Sequence, residues 1–103
     1  MEKVIRDGKV AILISHGYGA GWYTWNTDYQ ELLFNPKLVK MVEDGRAKEI
    51  DKDWVKENLG ISIYAGGAEG LSIYWLPIGT CFKVEEYDGA ESLETFDDLT
   101  LIA

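Results

Sequence analysis

Apolar and polar positions change period twice along the 103 residues, from strand-like at the start to helix-like in the middle and back again. In KVIRDGKVAILIS (3–15), β-branched residues flank Asp7-Gly8, a dipeptide that favours a two-residue hairpin turn. Val10–Ser15 is apolar at nearly every position, as expected of an inner strand. A glycine- and aromatic-rich stretch, SHGYGAGWYTWN (15–26), follows and reads as a loop. TDYQELLF (27–34) predicts a short helical segment capped by Thr27 or Asp28. NPKLVKMVEDG (35–45) is a clearer helix, with Asn35 as N-cap, Pro36 in the first turn and Gly45 as terminator. Leu38, Val39, Met41 and Val42 form its apolar face. DKDWVKENLG (51–60) predicts another helix, its acidic start matched to the positive helix end and Trp54, Val55 and Leu59 facing the core.

Strand-like pattern then returns. ISIYA (61–65) alternates, GGAEG turns the chain, LSIYWL (71–76) forms a strand, and PIG turns it again. TCFKVEEY (80–87) is the next strand, ended by Asp88-Gly89, and LTLIA adds a short edge strand. The order ββ-αα-ββββ predicts one α+β domain over 1–103, with a mainly antiparallel sheet and two or three short helices on one side.

Charge changes this picture by halves. Residues 1–50 hold seven acids and seven bases, whereas 51–103 hold eleven acids and three lysines, so the whole net charge of −8 lies in the second half. Such an acidic chain argues against binding a nucleic-acid backbone. The charged opening MEKVIRDGK and the lack of a long apolar run predict a cytoplasmic protein with no membrane span. One Cys and one His leave no disulfide and no ligand set for a dedicated metal, and no cofactor motif is present.

The chemistry worth weighing lies in residues 15–26. Gly17, Gly19 and Gly21 follow a strand as GxGxG, but Trp22 stands where a dinucleotide loop continues, and no lysine lies between Lys9 and Lys37. Aromatic density is the stronger signal: Tyr18, Trp22, Tyr23, Trp25, Tyr29 and Phe34 are six of the thirteen aromatics, within seventeen positions. They form a core lid, a subunit interface or a ligand pocket. In the pocket reading, glycines admit a ligand to the backbone, Trp22, Tyr23 and Trp25 stack on a planar, nucleotide-like molecule, and Arg6, Lys9 and His16 meet its charge. Ser15 and His16, adjacent on a strand, point to opposite faces and form no nucleophile–base pair. With no catalytic signature, a non-enzymatic binding domain, expected to be a homo-oligomer, is the leading reading. The alternative is an acidic, DNA-mimic-like inhibitor that docks Glu91, Glu94, Asp97 and Asp98 on a basic host protein. A small structural or assembly protein is a third.

VIRDGKVAILISHGYGAGWYTWN (4–26) and PIGTCFKVEEYDGAESLE (77–94), with the intervening ELLFNPKLVKMVEDGR, resemble a family of short uncharacterised proteins of phage and bacterial genomes. The resemblance transfers no site residues. It implies a viral origin, a place in the host cytoplasm, and a role against a host system, by sequestering a signalling nucleotide or blocking a host protein.

Overall fold

In a computed structural model that describes residues 1–95 and 101–103, the chain reverses at both Asp-Gly dipeptides. At the first, Asp7 and Gly8 have φ of 52° and 74°, the paired left-handed conformations of the hairpin turn whose twist matches its strands. It joins β1 (Ile5–Arg6) to β2 (Lys9–Ser15), and β3 (Leu71–Pro77) pairs antiparallel on the other edge of β2. At the second, Asp88 and Gly89 have φ of 51° and 86° and join β4 (Cys81–Tyr87) to β5 (Ala90–Thr95). β6 (Leu101–Ile102) pairs with the opposite edge of β4. The expected α+β fold is therefore found, but as two three-stranded antiparallel sheets rather than one.

Three helices connect β2 to β3: α1 (Glu31–Phe34), α2 (Pro36–Glu43) and α3 (Lys52–Leu59). The Asn35 side chain caps α2 by accepting from the backbone of Lys37 and Leu38 at 2.8 and 3.4 Å. At its other end Arg46 donates to the Met41 carbonyl and Gly45 to that of Val42, the paired bonds of a Schellman terminus. Asp51 caps α3 through the Trp54 amide at 2.8 Å. The cap expected at Thr27 or Asp28 is not made: α1 starts at Glu31, behind Gln30, with no side-chain cap.

β2 explains the layering. Ala11 and Leu13 enter one core with Leu38, Val39 and Met41 of α2, Val55 of α3 and Trp22. Val10, Ile12 and Ile14 face the opposite way into a second core with Phe34 of α1 and Phe82 of β4. All five are buried, and each contributes on the order of 1–3 kcal/mol through burial. α2 and α3 thus cover one face of the first sheet and the second sheet covers the other, while α1 feeds Leu32 to the first core and Leu33 to the second.

Two expectations for strands are corrected. Residues 61–65 form no regular element, yet Ile61, Ile63 and Ala65 pack on the first core in alternation. They join no sheet; the Tyr64 backbone pairs instead with the side-chain amide of Asn26. Conversely, AESLET (90–95) is a full strand, because the second Asp-Gly turn folds it back on β4. The edge strand expected in LTLIA is found at Leu101–Ile102. Among the described residues no helix is long and apolar enough to cross a membrane.

Candidate functional site

The loop that leaves β2 is organised by a carboxylate. Glu91, the second residue of β5, is 2% exposed. Its Oε1 accepts from the Ser15 amide at 2.9 Å. Its Oε2 accepts from the amides of Trp22 and Thr24, both at 2.9 Å, and from the Thr24 hydroxyl at 2.6 Å. A buried carboxylate demands such donors, and hydrogen bonds to a charged group are stronger than those between neutral partners. Here the donors are both ends of the loop, so Glu91 staples residue 15 to residues 22–24.

Glycines bring the neighbouring backbones into contact with this loop. A Cβ on Gly70 would lie 2.7 Å from the Gly17 nitrogen, and one on Gly67 would lie 2.6 Å from the Gly21 carbonyl oxygen. A Cβ on Gly89 would collide with the backbone of Ala20. Three segments, 15–22, 65–70 and 88–89, are thereby pressed together. Three hydrogen bonds cross between them: His16 amide to Gly70 carbonyl at 3.0 Å, Gly19 amide to Asp88 carbonyl at 2.6 Å, and Ser15 hydroxyl to Gly67 carbonyl at 2.6 Å.

The aromatic side chains then divide. Trp22 is wholly buried and donates its indole N–H to the Leu32 carbonyl at 2.8 Å, so it is a core residue and offers no face for stacking. Tyr23 is half-buried against both cores, and burial raises its phenol above the ordinary value. Tyr18 is 77% exposed and Trp25 44%. Trp25 stacks on Tyr64 with ring centroids 5.3 Å apart and planes 28° apart, and Tyr64 itself is 55% exposed. A cleft of about 280 Å³ lies between Gly17, Tyr18 and Ala20 on one wall and Gly66, Gly67, Glu69 and Gly70 on the other. A second cleft of similar volume shares Gly66 and is lined by Asp51, Lys52, Ile63, Tyr64 and Ala65.

Two of the three positive groups expected beside this loop are elsewhere. Arg6 and Lys9 flank the hairpin turn, opposite each other in register, whereas His16 follows the far end of β2. Across the seven residues of β2, at about 3.3 Å per step, the two ends are roughly 20 Å apart. Arg6 pairs through both guanidinium nitrogens with Glu43 and lies 5.3 Å from the Trp75 ring centroid. That pairing raises the Arg6 guanidinium and holds the Glu43 carboxyl below its ordinary value. His16 is at the loop, its ring 5.5 Å from that of Tyr74. The Ser15 hydroxyl, bonded to Gly67, is turned to another partner. Of the residues assigned to a ligand, the structure gathers His16, Gly17, Gly19, Gly21, Tyr23 and Trp25 at one end of the molecule. It excludes Arg6 and Lys9, and it buries Trp22.

The acidic docking segment is also redistributed. Glu91 is inside the protein, which removes it from any docking surface, because its carboxylate is needed by the loop amides. Glu94 is exposed on β5, opposite Lys83 of β4, and Asp97 and Asp98 lie outside the described residues. Pattern reading missed Tyr64, Gly66, Gly67, Glu69 and Gly70. Their signal was the second glycine cluster, GGAEG, which read only as a turn. The chain matches no protein-family model, no curated protein and no solved structure.

Proposed function

We propose that this chain is a non-enzymatic binding domain whose recognition surface is the loop end of the molecule, where Tyr18, Trp25 and Tyr64 stand around two glycine-lined clefts. One observation carries the reading: three large aromatic side chains stay exposed on backbone that is anchored from beneath by Glu91 and by close glycine contacts. Exposing such rings forgoes the stabilisation of burying them, and holding them on a stapled loop lowers the ordering cost of binding. Their flat apolar faces suit a planar group of the partner, with the polar tips left in water. A domain of this kind acts by occupying its partner rather than converting it. A nucleotide-like ligand is less well served than a neutral or cationic one, since Arg6 and Lys9 lie at the other end of β2.

Titration with indole and adenine, followed by amide NMR, tests the reading. Shifts are expected in residues 17–20 and 64–70, weakened by Tyr18→Ala and by Tyr64→Ala and unchanged by Arg6→Ala. All three positions are exposed, so the variants keep the fold. Shifts confined instead to the larger cleft of about 500 Å³ beside Asp28, Tyr29 and Glu31, or no shifts at all, would overturn it.

A further inference from the structure

The cleft beneath Tyr18 has a charge as well as a shape. Glu69 is the one charged side chain in its lining. Glu69 is exposed, and no group among the described residues pairs with its carboxylate. Tyr18 lines the same cleft, and Gly17, Gly66, Gly67 and Gly70 make up most of the rest of its lining. An exposed aromatic ring and a carboxylate that line one cleft attract the same chemistry, a cation with a flat face. The guanidinium of arginine is that group, because it stacks on an aromatic ring and donates to a carboxylate in one plane. At about 280 Å³ the cleft falls just below the range for sites that engulf a free small molecule, and it has room for a single side chain.

We propose, resting on the binding-domain reading above, that this cleft receives an arginine side chain carried on a basic segment of a partner protein. Charge complementarity decides for a protein segment. A net charge of −8 draws a basic surface to this molecule from a distance. The adjoining cleft, which shares Gly66 and presents Ile63, Tyr64 and Ala65, offers an apolar seat for the residue next to the arginine. His16 follows β2 directly but packs against Tyr74, and Lys52 lines the second cleft and not this one, so neither takes the place of the arginine.

The test uses the full chain and four probes: acetyl-Arg-Leu-amide, its citrulline isostere, agmatine and adenosine monophosphate. The arginine dipeptide is expected to shift the amides of 17–20 and 66–70. The citrulline isostere, of the same shape without the charge, is expected to bind about two- to fivefold more weakly, the scale of one cation contact at a partly exposed site. Glu69→Gln should narrow the difference between the two dipeptides, and Glu69→Gln combined with Tyr18→Ala should erase it. Equal binding of both dipeptides in the native protein, or stronger binding of the monophosphate at these amides, overturns the arginine inference and leaves the binding surface standing. Agmatine binding as tightly as the arginine dipeptide overturns the peptide source. If no probe, including indole and adenine, moves these amides, the binding-domain reading fails with it.

Discussion

Glu91 stands two residues beyond the Asp88-Gly89 turn, where β5 passes beneath the loop leaving β2, and its two oxygens collect four donors. Glu91→Gln keeps the size but sets an amide N–H₂ against backbone N–H donors. It is expected to lower stability by about 3 kcal/mol, a large share of the ~5–15 kcal/mol of a typical domain. A urea midpoint equal to that of the native protein would contradict the staple. Nothing in the sequence separates Glu91 from its neighbours, since from Val84 onward seven acids occur without a base. The difference between a solvated acid and a structural one is made by donors some seventy residues away. Trp22 is the same lesson among aromatics. Its indole is closed off by the Leu32 carbonyl, while Trp25, three residues on, is left against Tyr64 at the surface.

Among the elements, the two Asp-Gly turns share a sequence and a backbone but not a setting. A Cβ on Gly8 meets nothing within 4 Å, whereas one on Gly89 meets the backbone of Ala20. Gly8→Ala therefore costs only left-handed strain, about 1 kcal/mol, and Gly89→Ala must also push the loop aside. Thermal unfolding of the two variants should rank Gly89→Ala as clearly the less stable, and equal melting temperatures would mean that the turn and the loop do not touch. The helices were legible because their signals are local: Asn35 and Asp51 cap within three residues of their own positions. Alternation in 61–65 correctly gave the buried face, yet sheet membership is a matter of long-range pairing, and there a side chain, Asn26, took the place of a strand. β5 was hidden because ESLET has a single apolar residue, Leu93, and only the turn before it declares a hairpin.

The whole molecule is a sheet with helices on one face and a second sheet on the other, and its two ends differ. The hairpin end carries Arg6 paired with Glu43. The opposite end gathers three loops, two clefts and the exposed aromatics. The aromatic density of residues 18–34 did point to this end. The distance of Arg6 and Lys9 from it could not be read in one dimension, because a strand that brings residues together in sequence separates its own two ends in space. What makes the loop end a surface rather than a flexible tip is the carboxylate under it. The most direct measurement is native-state amide hydrogen exchange at Ser15, Trp22 and Thr24, the three backbone donors to Glu91. If the loop is stapled as described, the Trp22 and Thr24 amides, which lie outside any strand, will exchange as slowly as Leu13 in β2, and Glu91→Gln will release them selectively. Exchange at those amides as fast as at exposed Gly17 and Tyr18 in the native protein would contradict the account.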